Sequence, residues 1–171
     1  MRDLRYEQFL NKSGVPWHYE EKIALSQVNE VESFKNQARY QAINDDVVTK
    51  YAVEMLDDVK FPALCAYRGK DKKLVIISGN HRFKAYKEAE ISVADFYVVD
   101  TAAEHVLLRI TFESNLLESP IPPSSEERYE QGITLYRLGI YTMEDTARAL
   151  LLDKSTLDTK INARLMSERL T

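Results

Sequence analysis

Residues 79–84, with the sequence Gly-Asn-His-Arg-Phe-Lys, carry the clearest chemistry in the chain. The apolar run 74–77 before them predicts a buried strand, and the residues after Gly79 predict a helix. A helix N-terminus offers N–H groups and partial positive charge to an anion, and Arg82 can donate two parallel hydrogen bonds to a phosphate. The segment therefore predicts a phosphate-binding turn, with an ordinary strand–turn–helix carrying solvated basic residues as the alternative. The candidate phosphate-binding residues are Gly79, Asn80, His81, Arg82 and Lys84.

The last third of the chain has the apolar spacing of a helix-turn-helix. Between two amphipathic segments, Leu152-Asp153-Lys154 predicts a short turn, and the helix after it would present hydroxyl and basic side chains outward. Such side chains suit DNA phosphates and base edges. An ordinary αα-hairpin needs the same apolar spacing, and residues 154–171 have a net charge of only +2, from four basic and two acidic side chains. The candidate DNA-binding residues are Ser155, Thr156, Thr159, Lys160 and Arg164.

Two kinds of domain are needed to position these segments. Hydrophobic periodicity predicts a first set of alternating elements: helix 46–58, strands 61–67 and 73–78 joined by a turn at 68–72, helix 81–90, strand 92–99 and helix 102–115. Three prolines within 119–125 then interrupt the pattern. Helices are predicted over 125–138, 142–152 and 155–169, with capping signals at Ser124, Thr142 and Ser155. We therefore predict an α/β domain followed by an all-helical domain.

The composition excludes several classes of protein. With 44% hydrophobic and 29% charged residues, the chain has the composition of a folded domain rather than of a disordered or low-complexity chain. Its apolar runs are too short to span a membrane, and no signal sequence opens it, so we expect a cytoplasmic protein. Cys65 is the one cysteine, which rules out intramolecular disulfides and Cys-rich zinc sites. The net charge of -4 requires any DNA contact to rest on a local patch.

Residues 79–85 resemble the Gly-Glu-Arg-Arg-x-Arg-Ala box of the ParB/sulfiredoxin-like superfamily. Three flanking segments resemble that family in order and spacing, and a helix-turn-helix follows them: Asn36-Gln37-Ala38-Arg39, Phe61-Pro62-Ala63-Leu64 and Glu113-Ser114-Asn115. The resemblance spans about 22–165 and implies a small mixed-sheet ParB/sulfiredoxin-like domain at 22–118. An N-terminal extension would occupy 1–21, and a helical helix-turn-helix domain would occupy 124–171.

The resemblance also implies ligands. The family binds a nucleoside triphosphate, CTP in chromosomal ParB, with Mg²⁺ near a Glu-Asn box. Carried over, residues 79–84 would bind the phosphates of CTP or ATP, and Asn115 would contact the phosphate–Mg²⁺ end. Glu113 would be the catalytic acid and, together with Asn115, a Mg²⁺ ligand. The function implied is a ParB-like regulator or partition-type switch that binds double-stranded DNA, and a homodimer is compatible with it.

Departures from the family keep other functions open. Asn80 stands where the family has Glu and cannot act as a general base, so we expect at most a slow NTPase. Asn80 also stands where sulfiredoxin has its reactive cysteine, which disfavours that enzyme. The competing function is a small-molecule kinase or NTPase that ignores DNA, with Glu30 or Glu32 as the base. Because chromosomal ParB continues into a dimerisation domain, the chain is expected to be a truncation or a compact phage or plasmid relative.

Overall fold

The computed structural model describes residues 1–38, 42–119 and 122–171, and the side chains of 37 and 38 lie outside this description. The chain divides into two compact units, Met1–Leu107 and Leu108–Thr171. The elements in chain order are α1 (Leu4–Ser13), β1 (Trp17–Ala24), α2 (Glu30–Ala38), α3 (Asp45–Leu56), β2 (Leu64–Arg68), β3 (Leu74–Ser78), α4 (Asn80–Glu88), β4 (Val93–Val99), α5 (Glu104–Glu118), α6 (Ser125–Arg137), α7 (Met143–Ala149) and α8 (Lys154–Arg169).

The first unit is built on a four-stranded mixed sheet with the strand order β1-β4-β2-β3. β2 and β3 form the antiparallel hairpin that the sequence predicts, β2 pairs with β4 in parallel, and β1 pairs with β4 antiparallel. A parallel pair needs a crossover connection, and the chain between β2 and β4 supplies it with β3 and α4. The predicted α/β fold with a mixed sheet is therefore confirmed.

Each face of the sheet has its own covering. On one face, Phe83 of α4 and Phe34 of α2 pack over buried strand residues such as Ile76 and Phe96. On the other, Tyr97 of β4 contacts the rings of Tyr6, Trp17 and Tyr19, which come from α1 and β1. A separate cluster, Val48, Ala52, Met55, Ala85 and Ala89, joins α3 to α4. Residue 79 therefore lies where a fully buried strand meets a helix that is packed on two sides.

The edges of the sheet are protected in different ways. At β3, side chains of α2 take the place of a fifth strand: the Ile76 N–H donates to the Ser33 hydroxyl at 2.9 Å, and the Asn36 amide donates to the Ile76 carbonyl at 3.2 Å. At β1, the pairing with β4 is interrupted between Glu20 and Ile23, and Lys22 has a φ of +51°. Such bulges and coverings prevent edge-to-edge association of sheets.

The N-terminal part differs from the sequence prediction. Residues 1–21, expected as an extension, contain α1 and most of β1, and the expected boundary at 22 falls inside β1. Hydrophobic periodicity does not predict strand β1, because no residue of the strand Trp-His-Tyr-Glu-Glu-Lys-Ile-Ala is fully buried. Only its partner β4, whose last four residues are all buried, reveals that it belongs to the sheet.

The second unit contains three packed helices after α5. Ile133 of α6, Ala147 of α7 and both Leu157 and Ile161 of α8 form its core. Ser124 caps α6 with a complete capping box, and Thr142 caps α7, as predicted. The cap of α8 is Asp153 rather than the predicted Ser155, because the Asp153 carboxylate accepts the Thr156 N–H at 2.8 Å. Helix α8 therefore begins one residue earlier, and Ser155 lies within its first turn.

Candidate functional site

Gly79 forms the turn between β3 and α4, as the sequence predicts. It is the N-cap of α4 and has a φ of +108°, a conformation that L-residues rarely adopt. A Cβ added there would lie 2.5 Å from Leu64 Cδ2 and 3.0 Å from an Arg82 guanidinium nitrogen. The position therefore requires glycine for two reasons: the backbone angle and the close approach of two side chains.

His81 connects the start of α4 to the start of α3. Its Nε2 accepts the backbone N–H of Asn44 at 3.0 Å, and Asn44 is itself the N-cap of α3. Burial lowers the pKa of His81, and the positive charges of Arg82 and Lys84 lower it further. Both the hydrogen bond and the surroundings therefore favour the neutral imidazole.

Arg82 is directed at the protein rather than outward. Only 8% of it is exposed, and its guanidinium donates to the carbonyls of Pro62 at 2.9 Å and Ala63 at 3.2 Å. These carbonyls lie just before β2, in the segment 61–64 that carries part of the family resemblance. The side chain that the sequence suggests as a phosphate ligand thus holds the chain leading into the sheet.

The other two polar side chains of segment 79–84 also contact protein groups. Asn80 is the first residue of α4, and its buried amide donates to the Ser33 carbonyl at 3.2 Å. Lys84 is half-exposed and pairs with Asp45, at the first turn of α3, at 2.9 Å. Because Asp45 is largely exposed, this ion pair is the most easily exchanged contact in the segment.

Taken together, segment 79–84 joins α4 to α2, α3 and the approach to β2. Its side chains leave the start of α4 in different directions, because their hydrogen bonds go to Ser33, Asn44 and the carbonyls of 62 and 63. An anion could be held there by first-turn N–H groups, which lack intrahelical acceptors, and by Lys84. Of the Asn36-to-Arg39 segment, Asn36 binds β3, whereas Arg39 and the side chains of 37 and 38 lie outside the described residues.

Glu113 and Asn115 lie on α5, in the unit Leu108–Thr171. Glu113 pairs with Arg109 one turn before it at 3.6 Å, and the Arg109 guanidinium stacks 4.7 Å from the ring centre of Tyr141. Burial raises the pKa of the Glu113 carboxyl, and Arg109 opposes that effect. This arrangement fixes Glu113 within its own unit.

The pair does not fit a shared magnesium site. Residues two positions apart on a helix project about 200° from each other, so Glu113 and Asn115 leave α5 on different sides. Mg²⁺ needs ligands at near-octahedral geometry, and within the described ranges no group of three His, Cys, Asp or Glu side chains could hold a metal ion. The geometry of α5 therefore does not support the expected joint ligation of Mg²⁺ by Glu113 and Asn115.

The helix-turn-helix candidate is formed by α7, the residues 150–153 and α8. Leu151 lies in the turn with a φ of +54°, and Asp153 is the N-cap of α8. Ser155, Thr156 and Thr159 are exposed near the start of α8, as predicted. The hydroxyl of Thr156 donates to Asp153 and that of Thr159 to the Ser155 carbonyl. The side chains at the start of α8 are therefore accessible to solvent.

Acidic side chains pair with Lys154, Lys160 and Arg164 of α8, which the sequence prediction missed. Arg164 binds both Glu130 oxygens at 2.8 and 3.0 Å, and Lys160 lies 3.3 Å from Glu126 and above the ring of Tyr129. Glu126 and Glu130 are four residues apart on α6, and Lys160 and Arg164 are four apart on α8. This matching i,i+4 spacing is the sequence pattern that indicates the pairing. The same packing pairs Arg137 with Glu168, and Lys154 pairs with Glu144 of α7.

Solved structures share this architecture. A Pnob8-like ParB-N domain matches with a TM-score of 0.53 at 12% identity, over 78% of this chain and 50% of that one. The C-terminally truncated chromosome-partitioning protein ParB from Caulobacter crescentus, complexed to the centromeric parS site, matches with a TM-score of 0.53 at 14% identity, over 77% of this chain and 71% of that one. The fold is ParB-like. A third structure, the same Caulobacter protein complexed with CTP-γ-S, has a TM-score of 0.47 at 12% identity, over 91% of this chain and 87% of that one.

The likeness to these ParB structures, at 12% and 14% identity, is one of fold. No family model matches the chain, and no curated protein matches it. The chain spans half the length of the Pnob8-like ParB-N structure. Among the described residues, no helix is long and apolar enough to cross a membrane. The likeness confirms the architecture expected from segments 61–64 and 79–85.

Proposed function

We propose that the chain is a ParB-like DNA-binding protein that contacts double-stranded DNA through α8 and acts as a regulator or partition-type switch. The observation that carries this is the geometry of α7 and α8: a tight turn, a firmly capped second helix, and hydroxyl side chains exposed at its start. Recognition helices of helix-turn-helix proteins contact base edges with these first residues. A protein of similar fold, the Caulobacter ParB, is complexed to its parS site.

The phosphate contacts would come from Lys160 and Arg164, with Ser155, Thr156 and Thr159 nearer the bases. In the free protein both cations face the carboxylates of Glu126 and Glu130. All four side chains are at least one-third exposed, and such surface pairs contribute about 0–1 kcal/mol. A DNA phosphate can therefore replace a carboxylate at small cost. A homodimer would present two copies of α8, and so would read two half-sites.

Fluorescence anisotropy with labelled duplex DNA tests this directly. The double variant Lys160→Ala with Arg164→Ala should weaken binding about tenfold or more at low salt, since two phosphate contacts are lost. The matched control is Lys12→Ala with Lys50→Ala, which removes the same charge from exposed positions on α1 and α3. If both double variants weaken binding equally, net charge rather than α8 determines affinity. If the wild-type protein binds no duplex, the proposed function is wrong.

A nucleoside triphosphate, CTP or ATP, is proposed as the ligand of segment 79–84. Support comes from the left-handed turn at Gly79, which sets the first turn of α4 at the end of a buried strand, and from Lys84, whose ion pair with Asp45 is exposed. Calorimetric titration with CTP, ATP and GTP in the presence of Mg²⁺ would measure binding and base preference. Magnesium would enter with the nucleotide, whose phosphates bind it.

Lys84→Ala is the informative variant for that titration. It removes a phosphate-binding cation without touching the buried contacts of Arg82, and we expect nucleotide affinity to fall severalfold. Lys87→Ala is the control, because Lys87 lies in the last turn of the same helix and pairs with Glu30. Equal loss in both variants, or no binding by the wild-type protein at millimolar nucleotide, would contradict the proposal.

Turnover separates the competing enzyme from the switch. A small-molecule kinase or NTPase would consume nucleotide in the presence of an acceptor and without DNA. Its candidate bases, Glu30 and Glu32, lie in the first turn of α2 and pair with Lys87 and Lys35, respectively. Such pairs favour solvated carboxylates at a helix start over general bases. We therefore propose slow or absent hydrolysis. Fast, acceptor-dependent phosphate transfer that ignores DNA would establish the enzyme instead.

A further inference from the structure

We propose that the turn between β2 and β3 is a second contact surface for duplex DNA, and that Lys70, Lys72 and Lys73 bind its phosphates without regard to base sequence. This rests on the proposed DNA-binding function and adds to it a surface in the first unit, at a segment for which the sequence predicts only a turn. Residues 68–73 are called the basic turn below.

The basic turn concentrates positive charge in an acidic protein. Its four basic residues and one acidic residue give it a net charge of +3, whereas the whole chain has a net charge of -4. Lys70, Lys72 and Lys73 are exposed, and their ammonium groups have no ion pair within the ranges that the structure describes. Because DNA repels an acidic protein as a whole, attraction depends on a local patch of this kind.

The cations of α8 are compensated in the free protein. Lys160 and Arg164 face Glu126 and Glu130 of α6, so a phosphate near α8 meets carboxylates together with cations. The attraction there is weak until a phosphate takes the place of a carboxylate. The lysines of the basic turn have no acidic partner to displace among the described residues, so they attract a phosphate directly.

Hydrogen bonds hold the backbone of the basic turn in one conformation. The Gly69 N–H donates to the Lys73 carbonyl at 2.8 Å, and the Lys72 N–H donates to the Gly69 carbonyl at 2.9 Å. The guanidinium of Arg68 donates to the Lys72 carbonyl at 3.2 Å and pairs with Glu20 at 3.0 Å. Because this backbone is already ordered, binding a phosphate costs the freedom of the lysine side chains alone.

Asp71, the one acid of the basic turn, is bound by donors of the protein. Its carboxylate accepts the backbone N–H of Lys73 and the side-chain amide of Asn29, both at 3.0 Å. Asn29 in turn accepts the Glu32 N–H in the first turn of α2 at 3.1 Å. Asp71 therefore fixes the basic turn against α2, and it makes no ion pair with the three lysines.

The structure of the turn does not by itself call for lysines. Lys72 has a φ of +64°, a conformation in which glycine or asparagine would form the turn more easily. Lysines also protect exposed sheet edges, but α2 already covers the edge at β3 through Ser33 and Asn36. The property that these positions share is an exposed and unpaired positive charge, which suits a polyanion.

The triple variant Lys70→Gln with Lys72→Gln and Lys73→Gln tests the proposal in the full chain. Phosphate contacts carry no sequence information, so its affinity should fall by the same factor, about tenfold or more at low salt, for labelled duplexes of unrelated sequence. The slope of log affinity against log salt should become less steep by about 2 to 3, since three phosphate contacts are lost. Fluorescence anisotropy measures both quantities.

The matched control is a triple variant of three other exposed lysines without an ion pair: Lys12→Gln with Lys22→Gln and Lys60→Gln. It removes the same charge, and Lys22 shares the left-handed backbone of Lys72, with a φ of +51°. This control should keep the wild-type salt slope.

Lysine acetylation of the wild-type protein, read by mass spectrometry, needs no variant. Duplex DNA should reduce acetylation of Lys70, Lys72 and Lys73 severalfold. The three control lysines should stay reactive, and unchanged acetylation of the basic turn in the presence of bound duplex would contradict the proposal.

The outcomes separate this surface from DNA binding as such. If the wild-type protein binds no duplex, the proposed function and this inference both fail. If it binds, and the basic-turn variant keeps its affinity and salt slope or loses no more than the control, the inference is wrong and binding through α8 stands. A variant that loses binding to vesicles of phosphatidylserine, but not to DNA, would make a lipid headgroup the partner and also overturn the inference. A loss of DNA affinity confined to the basic-turn variant supports it.

Discussion

The imidazole of His81 accepts the backbone N–H of Asn44 at 3.0 Å, and this single bond ties the start of α4 to the start of α3. It gives a structural reason for the histidine within the proposed phosphate-binding segment 79–84. Asn44 caps α3 through its side chain, so its backbone must be held at the correct angle, and the neutral Nε2 atom holds it. The residue pattern of segment 79–84 therefore has a structural role that coexists with any ligand role.

The His81 bond makes stability depend on pH. Because burial lowers the folded-state pKa of His81 below its ordinary value of 6.5, the unfolded chain binds the proton more readily. The stability contribution is present above pH 6.5 and is lost as pH falls from there toward the folded-state pKa. Urea denaturation at a series of pH values should show that loss in the wild-type protein.

His81→Gln is the control for this titration, because a glutamine oxygen can accept the Asn44 N–H at any pH. His18, whose pKa is raised chiefly by its hydrogen bond to Asp100, acts with the opposite sign in both proteins, so it cancels in the comparison. A wild-type curve that runs parallel to the His81→Gln curve between pH 7 and pH 5 would show that the bond contributes nothing.

Gly79→Ala should destabilise the first unit by about 2–4 kcal/mol. The substitution adds backbone strain at a φ of +108° and a contact of 2.5 Å with Leu64. Gly14→Ala isolates the first contribution, since Gly14 has a φ of +71° but nothing within 4 Å of the added Cβ. Its cost should be about 1 kcal/mol. Equal losses of unfolding free energy in the two variants, measured by urea denaturation, would mean that the close packing at Gly79 adds no cost.

Arg82→Ala should cost about 2–4 kcal/mol, whereas Lys84→Ala should change stability by less than about 0.5 kcal/mol. Removing Arg82 leaves the carbonyls of Pro62 and Ala63 without their donor, while removing Lys84 breaks only a surface ion pair. Thermal denaturation of both variants measures the difference. If Arg82→Ala is as stable as the wild-type protein, its guanidinium is available to a ligand and the structural assignment is wrong.

Glu130→Gln should tighten DNA binding about two- to fivefold. The carboxylate of Glu130 holds Arg164 by two hydrogen bonds and competes with any phosphate for it, so neutralising the carboxylate releases the cation. Glu54→Gln on α3 removes the same charge from another exposed ion pair and serves as the control in the anisotropy assay. If both variants bind DNA more tightly by the same factor, the effect comes from net charge and Arg164 has no specific role.

The helices and strands could be predicted well from the sequence, but the contacts of their side chains could not. Strands β2 and β3 and helices α3, α4 and α6 were expected close to their observed bounds, since apolar periodicity and caps such as Ser124 are local signals. Strand β1 was missed because its place in the sheet depends on β4, about 75 residues away. Local patterns do not contain such pairings.

The same limit applies to the site. The sequence indicated that Arg82 lies at a helix start, and it does, but its acceptors are carbonyls some 20 residues earlier in the chain. The acids facing α8 were visible in the sequence as an i,i+4 pair on α6, yet nothing local joined Glu130 to Arg164. Which side chains are committed to the fold, and which are left for a ligand, is settled by tertiary contacts.

The dependence of DNA affinity on salt tests the central claim most directly. Anisotropy titrations at several salt concentrations give the slope of log affinity against log salt. Each phosphate that the protein neutralises contributes about −0.9 to this slope. We predict a steep negative slope for the wild-type protein and a slope reduced by about 2 in Lys160→Ala with Arg164→Ala. A flat wild-type slope, or a slope that the double variant leaves unchanged, would contradict DNA binding through α8.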